Sequence, residues 1–198
     1  FNACVHIAYD EARVFLAGDA LLTHAFDVLS DEATHPDPDV RCRLIRDVSL
    51  ASGKDGMVGG QMIDIYAEQK AFDLEAIEQL QSLKTGDLIK ASSVCGGFVG
   101  GASVDDISAL SAYAEDLGLA FQIVDDLLDA FGSAEDLGKP VGQDVDMDKA
   151  TFVKLMGAEK AKAKAALLVG SAKKHVSVFG PKASALVHAA DFVFERKS

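Results

Sequence analysis

The sequence predicts an all-α fold, with helices packed around a central cavity. Apolar residues recur at helical spacing through almost the whole chain. No segment shows the strict apolar–polar alternation of a half-buried strand. Glycine and proline collect in a few breaks between long periodic runs, as in 132–146. Such a pattern packs as helix on helix.

Each element follows from the same reasoning. Val14, Ala17, Leu21, Leu22, Ala25, Phe26 and Leu29 make an i, i+4, i+7 stripe and predict a helix over Glu11–Leu29. Asp37-Pro38-Asp39 opens a second helix, with proline in its first turn and acids at its positive end. Val40, Leu44, Ile45, Val48 and Leu50 form its buried face, and Gly53 and Gly56 interrupt it. A third helix runs over Met57–Gln69, a short one over Leu74–Leu80, and a further one starts at Thr85 and reaches Gly97. Asp105–Ala130 reads as one long helix. Gly132, Gly138, Pro140 and Gly142 make 132–146 a loop. Helices resume near Lys149, over Glu159–Val178 and over Ala183–Phe194. The pairs Gly59-Gly60, Gly96-Gly97 and Gly100-Gly101 each cost roughly 1 kcal/mol per glycine relative to alanine inside a helix. Close helix–helix contact accounts for them, or close approach of backbone to a bulky ligand.

The 198 residues suffice for one core and are read as a single domain. A net charge of -12 argues against nucleic acid or an anionic membrane surface as partner. It also repels anionic substrates, so phosphate binding here requires bound metal or a few placed lysines. Cys4, Cys42 and Cys95 are odd in number and lack CxxC spacing, so they read as reduced thiols of a cytoplasmic protein. No apolar run is long enough to span a bilayer.

Chemistry concentrates in Phe121–Asp129, where Asp125, Asp126 and Asp129 interrupt an apolar helical run. Gln122 lies three and four residues before the first two and shares their face. Ala120, Ile123, Val124, Leu127 and Phe131 form a core-like stripe opposite. Three close carboxylates repel, and burying them unpaired is costly. Mg²⁺, which takes one or two protein carboxylates plus substrate phosphates, removes that cost. A solvated acidic surface face is the other reading. Lys84, Lys139 and Lys149 sit at glycine-flanked loops or helix starts, as point charges suited to phosphate oxygens. A helix start at Thr85 adds backbone N–H donors and the positive end of a dipole.

Six segments in order carry a resemblance: GDALLT-AF (Gly18 to Phe26), GMVGGQMIDI (Gly56 to Ile65), KTG (Lys84 to Gly86), FQIVDDLLD (Phe121 to Asp129), LGKPVGQD (Leu137 to Asp144) and KATF (Lys149 to Phe152). Together they resemble the trans-isoprenyl diphosphate synthases, and within them the bacterial short-chain farnesyl and geranylgeranyl diphosphate synthases. The resemblance implies the isoprenoid-synthase helical bundle around a deep apolar cavity, a homodimer, and Mg²⁺-dependent prenyltransfer. Isopentenyl diphosphate is joined to an allylic diphosphate (dimethylallyl, geranyl or farnesyl), with farnesyl diphosphate the first expectation for product.

It also implies roles. Asp125, Asp126 and Asp129 match a metal-binding motif. Lys84, Lys139 and Lys149 match lysines on the allylic diphosphate. Thr85 and Gln122 match polar residues facing the nascent cation, where oxygen dipoles stabilise positive charge. Phe121 matches an aromatic beside the isopentenyl tail, or is simple core packing. Gln61 and Asp64 match the polar edge of the cavity; Asp64 is alternatively a partner to a lysine. His6 matches a histidine that contacts isopentenyl diphosphate. The remaining histidines have no partners at useful spacing.

The family pattern also includes a first Asp-rich motif and an arginine pair, expected just before Val5–Ala12, and Phe1–Cys4 matches nothing in it. The expectation is a longer polypeptide whose amino-terminal helices lie upstream. A truncated chain would lack half the metal site and would not catalyse condensation. Two other readings compete: a non-catalytic subunit of a heteromeric synthase, and a class I terpene cyclase, which binds no isopentenyl diphosphate.

Overall fold

Helices begin where the sequence supplies a side-chain cap. The Asp10 carboxylate accepts from Arg13 N at 2.8 Å, Asp73 from Ala76 N at 2.9 Å, and the Thr151 hydroxyl from Lys154 N at 3.2 Å. Each satisfies a donor that the first helical turn leaves open. The structure, a computed structural model, describes residues 5–67, 72–131 and 150–196. All elements in it are helical: α1 (Val5–Ala8), α2 (Glu11–Ser30), α3 (Pro38–Ser52), α4 (Met57–Ala67), α5 (Leu74–Gln81), α6 (Asp87–Val99), α7 (Val104–Phe131), α8 (Phe152–Met156), α9 (Ala158–His175) and α10 (Ser184–Glu195). No strand occurs among the described residues, as the periodicity predicts.

The chain divides into two compact units, Phe1–Asp47 and Val48–Ser198. In the first, α2 buries none of its 20 residues, and Phe15, Leu16, Leu21 and Leu22 stand exposed. The second is built on α7. Leu110, Tyr113, Ala114, Leu117 and Ala120 of α7 pack with Val169 and Ala172 of α9 and with Ala190 and Val193 of α10. The spacing of those α7 residues is the i, i+3, i+4, i+7 stripe of a buried helix face. Farther along α7, Ile123 and Val124 pack with Ile77 of α5, Phe152 of α8, and Ala161 and Ala165 of α9. Tyr113 donates its hydroxyl proton to the Leu186 carbonyl at 2.7 Å, which satisfies a buried polar tip.

Three local expectations change. Leu74–Leu80 and the helix expected from Thr85 are one continuous helical run, because Ser82–Gly86 forms a π-turn rather than a break. The N–H of Asp87 bonds to the Ser82 carbonyl, five residues back. Helix α9 stops at His175, and a 3₁₀ segment covers Val176–Ala183, where Gly180 takes φ 57° before Pro181. Phe131, expected in the core stripe of α7, and Leu50, expected on the buried face of α3, are 68% and 51% exposed. The loop expected over 132–146 lies outside the described residues.

Candidate functional site

The lysine-bearing π-turn packs between α4 and α7, and glycine makes both contacts possible. A Cβ at Gly60 of α4 would lie 2.5 Å from Lys84 N and 2.7 Å from Lys84 Cα. A Cβ at Gly118 of α7 would lie 3.0 Å from Gly86 Cα. Carbon contacts are ordinarily about 3.5–4.0 Å, so only glycine lets these backbones approach so closely. For Gly60 this agrees with close helix contact. Gly96 differs, with nothing within 4 Å of an added Cβ.

One turn beyond Gly60, Asp64 meets the turn. Lys84 Nζ donates to Asp64 Oδ2 at 2.6 Å, with both side chains substantially buried. The alternative reading of Asp64, as a lysine's partner, is therefore met in the geometry. Gln61, three residues earlier, is exposed. Thr85 is half-buried and follows Lys84 inside the π-turn. Because the helix does not start there, Thr85 brings no free first-turn N–H groups and no dipole end. Among the described residues, the positive charge that this turn itself brings is that of Lys84. Beyond the turn, burial pushes the Asp87 carboxyl above its usual range, Lys90 opposes that, and Glu115 adds to it. Lys90 is itself paired to Glu115 at 2.5 Å.

The three aspartates of α7 occupy different surroundings. Asp126 and Asp129 are 9% and 7% exposed, so neither belongs to a solvated acidic face. Asp126 Oδ2 accepts from Phe152 N at 2.7 Å and ties α7 to the first turn of α8. The Asp125 side chain is 42% exposed and meets Arg196, whose Nη2 stands 3.2 Å from Asp125 Oδ1. The same Nη2 donates to the Phe121 carbonyl at 3.3 Å, and the guanidinium lies 4.0 Å from the Phe121 ring centroid. Arg196 is 10% exposed, and its Nε is buried without a hydrogen-bond partner among the described residues. Phe121 is half-buried against the α7–α9–α10 core, so its packing role is present. Gln122 is half-buried, and its amide makes no hydrogen bond among the described residues.

Among the described residues, no three His, Cys, Asp or Glu side chains converge into a metal cage. The donor chemistry nevertheless fits a hard divalent cation. Mg²⁺ needs one or two carboxylates and completes its shell with water and phosphate oxygens, and Asp125 offers an accessible carboxylate. Lys139 and Lys149 lie outside the described residues, as does the side chain of His6, whose backbone belongs to α1. No helix among the described residues is long and apolar enough to cross a membrane.

Sequence reasoning did not find Arg196 or Gly118. Arg196 is 71 residues from Asp125, and nothing local marks the pairing. Gly118 had a weak signal, a lone glycine deep inside a long helical pattern.

A family model described as Polyprenyl synthetase matches residues 2–180. The chain is 38% identical over 194 residues to a geranylgeranyl diphosphate synthase of Cyanophora paradoxa, covering 98% of this chain and 65% of that protein. It is 39% identical over 193 residues to a farnesyl diphosphate synthase of Geobacillus stearothermophilus, covering 96% and 65% respectively. A solved geranyltransferase from Helicobacter pylori, complexed with magnesium and isoprenyl diphosphate, superposes with a TM-score of 0.82 at 31% identity, covering 97% of this chain and 62% of that one. The chain thus spans less than two thirds of the length of these relatives.

Proposed function

The chain belongs to the polyprenyl synthetase family, and on that premise we propose that it serves a short-chain prenyl diphosphate synthase. The reaction joins isopentenyl diphosphate to an allylic diphosphate and releases inorganic diphosphate. Farnesyl diphosphate is the proposed product, with geranylgeranyl diphosphate the alternative; relatives bearing both names match equally well. One observation carries the reading. The turn that holds Lys84 packs on α7 at Gly118, one helical turn before Gln122 and two before Asp125 and Asp126. A phosphate-seeking cation and a carboxylate set thus flank the same stretch of helix.

The residues divide the work by their chemistry. Lys84, held by Asp64, is a fixed point charge for an allylic diphosphate oxygen, and Lys139 and Lys149 are assigned to the same group. Asp125, Asp126 and Asp129 are proposed as the Mg²⁺-binding motif, with Asp125 its accessible ligand. When bound, the metal would stabilise charge on the departing diphosphate. The Helicobacter pylori geranyltransferase, solved in complex with magnesium, supports Mg²⁺ as the metal. Thr85 and Gln122 turn oxygen dipoles towards the allylic carbon as it becomes positive. The amide of Gln122 suits that task, because no partner among the described residues competes for it. Phe121, Gln61 and His6 are assigned to the isopentenyl substrate. Packing around the reacting carbons excludes water, which would otherwise capture the cation.

An exposed apolar helix such as α2 marks an interaction surface, and a homodimer is the partner proposed for it. The reaction is placed in the cytoplasm. The test is incubation with labelled isopentenyl diphosphate, Mg²⁺ and, in turn, dimethylallyl, geranyl and farnesyl diphosphates, with product chain length read by chromatography. Label in a fifteen-carbon product supports the proposal, and a twenty-carbon product selects the alternative. Conversion of the allylic diphosphate with isopentenyl diphosphate untouched would indicate cyclase chemistry instead.

A further inference from the structure

The π-turn is gripped from both sides by glycines whose own backbone does not require glycine. The described glycines with positive φ are Gly101, Gly157 and Gly180; Gly60 and Gly118 are ordinary helical residues. In a helix interior glycine is the weaker choice. At these two positions it leaves room for another backbone. The atoms that a methyl at 60 would strike are Lys84 N and Cα, at 2.5 and 2.7 Å, which cannot swing aside as a side-chain tip can.

Each glycine also lies one turn before a polar side chain of the proposed site. Gly60 precedes Asp64 by four residues on α4, and Asp64 reaches Lys84 Nζ at 2.6 Å. Gly118 precedes Gln122 by four residues on α7, and its contact is with Gly86, the neighbour of Thr85. Residues four apart share a helix face. The glycine contact therefore sets how far each helix stands from the turn, and the next side chain along works at that distance.

We infer that Gly60 and Gly118 are positioning residues: Gly60 sets the Asp64–Lys84 pair that meets the diphosphate, and Gly118 sets how far Gln122 stands from the turn that carries Thr85. The inference rests on the prenyl synthase reading for what is positioned, and it predicts a division between the two positions. A methyl at 60 forces a shift of about 1 Å at the lysine, enough to cost about 10²-fold in kcat/KM. That loss should fall on diphosphate binding. The contact at 118 is milder, 3.0 Å to one carbon, and should act on kcat.

The experiment compares Gly60→Ala, Gly118→Ala and Gly96→Ala with the parent. It reads thermal midpoint, calorimetric binding of inorganic diphosphate with Mg²⁺, and kcat and KM for both substrates. We expect Gly60→Ala to weaken diphosphate binding by about 10-fold or more. We expect Gly118→Ala to lower kcat with diphosphate binding within about twofold of the parent. Gly96→Ala should change neither. Parent-like binding in Gly60→Ala overturns the inference, as does a fall in binding and kcat that tracks thermal midpoint alike in both variants. If Gly60→Ala does not fold, Gly118→Ala decides: a lowered kcat at unchanged KM supports the inference, and parent-like kcat overturns it. A full-length parent that binds diphosphate in the expected order of variants but consumes no isopentenyl diphosphate sinks the synthase reading and leaves the grip on Lys84 standing. A parent that does not bind diphosphate overturns both.

Discussion

Lys84 and Asp64 are joined by a 2.6 Å ion pair across 20 residues of sequence, between a π-turn and the helix that packs against it. The pair orients the ammonium and leaves it further N–H donors for a ligand. Replacing Lys84 with alanine should lower kcat by about 10²–10³-fold, the range for losing one electrostatic contact to developing charge. Asp64→Asn keeps an acceptor but removes the countercharge. It should act mainly on the allylic KM, by about 10-fold, through looser placement of the lysine. Steady-state kinetics on both variants checks this. Parent-like turnover in Lys84→Ala would remove the lysine from the mechanism.

Asp125 and Asp126 are neighbours in sequence with separable jobs. Asp125 is half-exposed and held by Arg196, so in the full-length protein Asp125→Ala should remove most activity with helical content nearly intact. Asp126 Oδ2 receives the buried Phe152 N–H, so Asp126→Ala strands that donor and should also cost about 1–3 kcal/mol of stability. Circular dichroism in urea, alongside turnover, separates the two. Equal stability losses would show that the α7–α8 tie is not made through Asp126.

Much of this was legible in the sequence, for physical reasons that also set its limits. The course of α7 followed from apolar spacing, because a helix in the core must bury one face whatever it packs against; α2 followed from the same spacing although none of its residues is buried. The candidate residues of α7 followed from three acids in an apolar run. The π-turn was not legible. Lys84-Thr85-Gly86 reads as a break because glycine interrupts helices, and only the packing of Gly60 and Gly118 shows that it accommodates close neighbours. Nor was the Arg196–Asp125–Phe121 arrangement, which joins residues 71 and 75 positions apart. Local pattern cannot carry a pairing of that range.

The apolar side chains of α2 make assembly testable. Phe15, Leu16, Leu21 and Leu22 are exposed, and no residue of the helix is buried. Sedimentation equilibrium should find a two-chain particle, and Leu21→Glu with Leu22→Glu should shift it to a single chain. A single-chain parent would remove the homodimer from the proposal.

Asp87 gives a pH dependence with a definite sign. Burial raises its pKa above the ordinary 3.8, Lys90 lowers it, and Glu115 raises it. A carboxyl with a raised folded-state pKa holds its proton in the native chain at pH values where the unfolded chain has released it. The native state then binds more protons, so this group's contribution to stability falls as pH rises from about 4 through the folded-state pKa. Above that value the remaining cost of a partly buried charge is constant. Asp87→Asn removes the titration, so the variant's thermal midpoint should gain on the parent's as pH rises from about 4 through the folded-state pKa and run parallel to it beyond. Because Lys90 also neighbours Glu115 at 2.5 Å, loss of the Asp87 charge leaves that cation paired and does not reverse the sign. A parent whose midpoint rises relative to Asp87→Asn over the same interval would mean that attraction to Lys90 outweighs burial at this carboxyl.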